Sequence, residues 1–362
     1  MVVTARDSCR LITENLKNGF QLRLMIADNT PDHTLFSKKY RCMNAHHFRQ
    51  ALETSGAEQF LKNVSKPILV FTGDPVNLPS LRSLIEQYNI TSLVAGILID
   101  DWNIAATDKT GLFKFFPNLA YRFSSIFQRN YFNNKHFPVN FRERKFKLSC
   151  LNRAPKLHRA LTAYSLSQKS WFSEVRFSFY GMSSHGVSNM PNQSCDTEFI
   201  NLLGDAGKKW IDSQQFPISI KDDQSWKTMD ILGCHNPYTP SYSDTYANLC
   251  TESSVTDMVI SEKSMKPIAA GNLLWMISAP GHLMSLTKMG FNFRYSKDLN
   301  GLYDSIIDPI ERLDWCINEV DLNYHLIPNI WYENRAVLQS NRNWLLSPDF
   351  LAHLRSYVQD LL

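Results

Sequence analysis

KPILVFTGDPVNLPSLRSLIEQYNITSLVAGILID, residues 66–100, reads as strand, helix and strand in succession. Pro67–Thr72 is a short apolar run closed by Gly73-Asp74-Pro75, residues that end strands. Leu81, Leu84, Ile85 and Tyr88 then recur at i, i+3, i+4 and i+7, which places them on one helix face. Thr91–Ile99 is apolar almost throughout, as a strand covered on both faces requires. A strand, a helix and a buried strand within about 35 residues make a βαβ unit and therefore a parallel sheet.

The same logic returns further along. Lys145–Cys150 reads as a strand ending at Asn152-Arg153-Ala154-Pro155, and a helix follows over Leu157–Gln168. Val175–Tyr180 and Tyr246–Thr251 read as strands. Ser261 is a good N-cap and Gly271 a natural stop, so a helix is expected between them. Leu273–Ile277 is a further strand and Gly281–Met289 a further helix. Ile306, Ile310, Leu313, Ile317 and Val320 mark one face of a longer helix. Leu345, Phe350, Leu354 and Val358 form an apolar face in a helical C-terminal segment. The expected organisation is an acceptor-side α/β domain over 1–143, a nucleotide-binding α/β domain over 144–325 and a helical segment over 326–362. Two Rossmann-like domains facing a cleft is the GT-B arrangement of sugar-nucleotide enzymes, although other two-domain α/β proteins share the pattern.

The length of 362 residues fits two domains of about 150 residues each. A hydrophobic share of 44% with 20% charged residues excludes a disordered or fibrous chain. Net charge is +4, too mild to imply nucleic-acid binding by itself. Seven scattered cysteines without a Cys-x-x-Cys pair argue against a disulfide framework and against a thiolate zinc site. They suit a reducing cytoplasm, that of the host if the source is viral. No signal peptide is visible at the N-terminus, and the longest apolar run, near Leu93–Ile99, is far short of the roughly 20 residues of a membrane span.

Dinucleotide and P-loop fingerprints are absent, as are His-Glu-x-x-His and Gly-x-Ser-x-Gly. His46-His47 is the one adjacent histidine pair, and neighbouring side chains diverge too widely to share a metal. No Asp-x-Asp is present to hold a divalent metal on a diphosphate, so neither metal nor cofactor is expected. Cationic side chains and helix N-termini can neutralise a leaving diphosphate instead.

YANLCTESSVTDMVISEKSMKPIAAGNLLWMISAPG, residues 246–281, concentrates the chemistry. A strand ends at Cys250 and delivers Glu252 to the carboxyl edge of a sheet, where ligands of open α/β sheets bind. Glu262 and Lys263 fall in the first turn of the following helix. Its N–H groups and the Lys263 ammonium suit an anion such as a diphosphate. A carboxylate such as Glu262 suits a ribose diol, or it simply completes the helix start.

Asn248-Leu-Cys-Thr-Glu252-Ser-Ser254 followed by Ile260-Ser261-Glu262-Lys263 resembles the donor-binding motif of the alpha-1,3-fucosyltransferases. There a Glu-Asn-Ser segment precedes Thr-Glu-Lys with the same ten-residue spacing between the glutamates. The block is also similar to phage and bacterial glycosyltransferase-like proteins. Their further elements match Lys266-Pro267-Ile268, Ala279-Pro280-Gly281, Gly290-Phe291, Tyr303-Asp304 and Asp308-Pro309. The likeness covers about Lys145–Val320. It implies that Glu262 binds the donor ribose and Lys263 the diphosphate. Arg159 is then a phosphate ligand, with Arg153 as an alternative. Glu252 has a catalytic or donor-orienting role, and Tyr303 either contacts the donor or starts a helix. Ser253 replaces the family asparagine, and Thr256, Met258 and Val259 replace loop tyrosines, so fucose itself does not carry over.

The resemblance implies a glycosyltransferase that moves a sugar from a nucleoside-diphosphate sugar to an acceptor hydroxyl, with inversion and without metal. Its general base is expected from the N-terminal half, where Asp74, Asp100 and Asp101 end strands. Tyr121–Lys147 interleaves cations, among them Arg142, Arg144 and Lys145, with aromatic residues. Such a stretch either binds an acceptor or packs between domains. The acceptor is expected to be a glycan or, by the phage likeness, a hydroxymethylated DNA base. The competing class is a non-catalytic nucleotide-sugar or nucleic-acid binding module, which would need no base.

Overall fold

The structure is a computed structural model that describes residues 39, 41–53, 66–71, 78–134, 141, 143–152, 156–179, 196–214, 218, 240–293 and 302–361. Two parallel sheets organise it. The first contains β1 (Arg41–Asn44), β2 (Ile68–Phe71), β3 (Val94–Ile99) and β4 (Phe113–Phe115), side by side in that order. The crossovers include α1 (Ala45–Glu53), α2 (Leu78–Gln87) and α3 (Trp102–Thr107). Every residue of β2 is buried, and Leu81 and Ile85 are the buried face of α2, as the sequence pattern requires. Thr91–Leu93, expected to begin the second strand, forms a 3-10 turn ahead of β3.

α4 (Asn118–Asn134) leaves this sheet and leads to the second half. The second sheet contains β5 (Phe146–Asn152), β6 (Arg176–Phe179), β7 (Thr245–Thr251) and β8 (Leu273–Ile277), all parallel, in the order β6-β5-β7-β8. β7 and β8 are buried at every position; β8 is apolar throughout, whereas β7 also buries Thr245, Asn248 and Thr251. The helices of this half are α5 (Leu157–Ser167), α6 (Asp196–Ser213), the short α7 (Pro240–Ser243), α8 (Glu262–Ala270), α9 (His282–Lys288) and α10 (Pro309–Asn323). α11 (Ile327–Glu333), α12 (Arg335–Leu346) and α13 (Pro348–Ser356) complete it. Ser261 caps α8 and Gly271 ends it in the left-handed region at φ 65°. Asp308 caps α10, accepting from the Ile310 and Glu311 N–H groups, with Pro309 in the first helical position.

The order of the second sheet matters for function. From β5 the chain moves outward to β6, then returns past β5 to β7. The strand order therefore reverses between β5 and β7, and ligands of open α/β sheets bind in the crevice beyond such a reversal.

The two halves share a core. α4 packs against α8, α12 and α13, burying Tyr121, Phe123 and Phe127. Gln128 donates to the carbonyls of Leu345 and Ser347, and Arg355 donates to the Tyr121 hydroxyl. The C-terminal segment reaches back to the first sheet, where Tyr357 packs edge-on to Trp102 and Phe115 and Lys114 pairs with Asp360 at 2.5 Å. Among the described residues no helix is long and apolar enough to cross a membrane.

Candidate functional site

The strands on either side of the reversal carry the residues singled out by sequence. β5 ends at Asn152, and α5, just beyond, brings Lys156, His158 and Arg159. β7 ends at Thr251 and hands the chain to Glu252 and then to α8. A small opening of about 10 Å³, room for one water, lies over β5 and β7, lined by Ser149, Leu151, Tyr242, Asn248, Leu249, Cys250, Thr251 and Lys263.

Glu252 is fully buried. Its Oε1 accepts from the Ser261 N–H and the Ser264 hydroxyl, and its Oε2 from the Ser261 hydroxyl and the Ser253 N–H. Its carbonyl oxygen accepts from Arg159 at 3.0 Å and from His158 Nε2 at 3.0 Å. A carbonyl can only accept, so His158 carries its proton on Nε2. Burial holds the His158 pKa well below the ordinary histidine value, and Arg159 adds to that. Arg159 also donates to the Thr251 carbonyl and is 2% exposed. Burial lowers its pKa, while Glu252 and Glu262 support the charge.

Lys263 and Glu262 reach the surface. The Lys263 ammonium lies 3.1 Å from Glu262 and 3.8 Å from Glu252, with 21% of the side chain exposed. Burial would raise the Glu262 carboxyl, but the charges of Lys263 and Lys266 outweigh it and hold it down at about 2. Glu262 is therefore an anion beside two lysines at the start of α8. Lys156 donates to the Ser253 carbonyl, so the loop between β7 and α8 is held by cations. Around this loop Lys156, Arg159, Lys263 and Lys266 stand against Glu252, Asp257 and Glu262, with Asp100 reaching it from the first sheet.

The first sheet meets this loop. Asp100, at the end of β3, accepts from the Ile260 N–H at 2.9 Å through Oδ2. Its Oδ1 is buried, facing the Asn118 N–H. Burial pushes the Asp100 carboxyl well above the ordinary aspartate range; the Ile260 N–H opposes this and the Glu252 charge adds to it. Asp101 caps α3, accepting from the Ile104 N–H at 3.0 Å. The carboxyl edges of both sheets thus converge on residues 252–261.

No protein family and no curated protein matches the chain. Among solved structures it is similar to a crystal structure of an alpha1,3-fucosyltransferase at 11% identity, over 86% of this chain and 92% of that one, with a TM-score of 0.33. At that level no residue role, donor or acceptor transfers from it.

The structure brings Arg159, Glu252, Glu262, Lys263 and Asp100 together around one loop. It does not bring Tyr303 to the surface. Tyr303 is fully buried and its hydroxyl is engaged with the Ser278 N–H and hydroxyl. Asp74, Arg142 and Arg153 lie outside the described residues. Arg144, expected on an acceptor-binding surface, is corrected to an internal role. Its guanidinium donates to the carbonyls of Thr245 and Ala270 and to Asn272, and lies 4.7 Å above Trp331. Lys145 is exposed, with its ammonium over Phe146. Sequence reasoning missed Ser264, His282 and Arg312. Ser264 had a signal, since it follows Ser261 by one helical turn on the same face.

Among the described residues no group of three His, Cys, Asp or Glu side chains is placed to hold a metal.

Proposed function

We propose that the chain is a glycosyltransferase that binds a nucleoside-diphosphate sugar at the β5/β7 reversal and transfers the sugar to an acceptor hydroxyl with inversion. One observation carries the reading: the capped start of α8, bearing Lys263 and Glu262, sits at the point of the second sheet where strand order reverses. The donor motif in residues 248–263 supports it independently. In this reading Lys263 and the N-terminus of α8 stabilise the leaving diphosphate, and Glu262 accepts hydrogen bonds from the ribose. Arg159 acts from below, through the carbonyls of Thr251 and Glu252. No metal is assigned to the diphosphate. Asp100 is proposed as the base, because it faces the loop from the opposite sheet; it is buried beneath Ile260, so the loop has to shift before an acceptor hydroxyl reaches it.

The acceptor proposed is a glycan or small-molecule hydroxyl. Tyr121, Phe123 and Phe127 are buried in the core and Arg144 is used internally, so these parts of the basic aromatic stretch are not available to line a nucleic-acid groove.

A melting screen of nucleoside diphosphates and their sugars tests the reading. A ligand at 100 times its Kd stabilises by about 2.7 kcal/mol. Lys263→Ala should remove the shift from the preferred nucleotide, and EDTA should leave both binding and transfer unchanged. A chain that binds sugar nucleotides but neither transfers nor hydrolyses the sugar would be a binding module instead.

A further inference from the structure

The hydrogens around Glu252 can be placed by counting. A serine hydroxyl has one proton to donate. Ser261 gives its proton to Glu252 Oε2 at 2.7 Å, so its lone pairs receive the Lys263 N–H at 3.3 Å and the Lys263 ammonium at 3.2 Å. Ser264 gives its proton to Glu252 Oε1 at 3.1 Å, so it accepts from His282 Nε2 at 2.9 Å. The carboxylate therefore sets the orientation of both serines and, through Ser261 together with the 3.1 Å pair to Glu262, that of the Lys263 ammonium. Glu252 does not itself line the opening at the sheet reversal, whereas Lys263 does.

We propose that Glu252 is a positioning residue, whose buried carboxylate fixes the first turn of α8 and aims the Lys263 ammonium at the phosphates of a nucleoside diphosphate. The proposal rests on the donor-site reading above. It gives Glu252 a role through Lys263 rather than by contact with substrate.

Glu252→Gln separates positioning from simple electrostatics. Removing a negative charge 3.8 Å from the Lys263 ammonium would, by Coulomb attraction alone, tighten the binding of an anion. Positioning requires the reverse. The amide nitrogen of glutamine must face either the Ser261 hydroxyl and the Ser253 N–H or the Ser264 hydroxyl and the Ser261 N–H, so in both orientations a donor meets a donor and the arrangement that holds the ammonium is lost.

The probes are GDP, UDP, ADP, CDP and dTDP, and calorimetry then compares the best of them with its parent nucleoside. E252Q should weaken the diphosphate about tenfold or more, the scale of one charged hydrogen bond, and weaken the nucleoside less, because only the Glu262 contact to the ribose shares the first turn of α8. It should cause no further loss in a Lys263→Ala background. Ser264→Ala, which removes one of the four bonds to the carboxylate, should weaken the diphosphate in the same selective way and serves if E252Q does not fold. E252Q binding the diphosphate as tightly as the wild type, or losses that add in the double variant, would overturn the proposal while K263A still reports on the donor site. A wild-type chain that binds none of the five nucleotides would overturn the donor-site reading and the proposal together.

Discussion

Arg312→Met is expected to cost about 3–5 kcal/mol of folding free energy, because it leaves several buried carbonyls without a donor at roughly 1–3 kcal/mol each. Arg312 is 1% exposed on α10 and ties three separate segments together. Nε donates to the Ser278 carbonyl at 2.7 Å, just after β8, and a terminal nitrogen donates to the Val255 carbonyl at 2.6 Å in the loop after β7. The other terminal nitrogen serves Ile306 at 2.5 Å and Ile307 at 3.3 Å. A hydrogen bond from a charged donor is worth roughly 1.5–3 kcal/mol, so the bonds to Ser278 and Val255 alone reach about 3–6 kcal/mol. Part of that is recovered because a methionine needs no desolvation. The carbonyls remain buried without donors, which is why an apolar replacement of similar length does not restore stability. With about 2.1 cal/mol/K of unfolding entropy per residue, a loss of 4 kcal/mol lowers Tm by about 5 °C if the whole chain melts together, and by about twice that if the second half melts alone. Urea unfolding and calorimetry read both quantities, and Arg312→Lys should remain well below the wild type because one ammonium cannot face three directions. A methionine variant within about 1 kcal/mol of the wild type would refute the assignment of these bonds as the main work of Arg312.

Gly290 has φ +93°, and a Cβ there would lie 2.6 Å from Trp344 Nε1, which donates to the Met289 carbonyl. Gly290→Ala should therefore destabilise by about 1–3 kcal/mol, from backbone strain plus the displaced ring; equal melting of the two proteins would contradict this. His282 is buried, and burial takes its pKa down to about 4, with Glu252 opposing and Arg312 assisting. Between about 6.5 and 4 the unfolded chain then binds more protons than the folded one, so stability falls as pH drops through that window. His158 acts in the same direction. His282→Gln should make the fall shallower by up to roughly 3 kcal/mol across the window, measured by urea unfolding at several pH values; an unchanged slope would mean that His282 does not titrate in unfolding.

β8 was legible because burial on both faces leaves only apolar residues in Leu273–Ile277. The helix between Ser261 and Gly271 was legible because its cap and its stop are local signals. β1 and β4 were not. Arg41–Asn44 and Phe113–Phe115 are short outer strands of mixed polarity, with too few residues to show a period. Arg144 and Tyr121 misled for a different reason. Their burial depends on Thr245, Ala270, Trp331 and Arg355, about a hundred or more residues away, and composition carries no trace of such partners. Within the candidate site, the resemblance and the ten-residue spacing singled out Glu252, Glu262 and Lys263. It could not say that the first is buried and the other two reach solvent, because Ser264 and the carbonyl bonds from α5 decide that.

The bond between Asp100 and the Ile260 N–H makes the loop after β7 common property of both sheets. Any ligand that shifts this loop changes how firmly the first half is held, and any contact that strengthens the first half's hold changes the ligand's affinity. Thermodynamic reciprocity makes the two effects equal in size. The coupling can be read from a single cycle, in which the free-energy effect of Asp100→Asn is measured with and without a nucleotide in place.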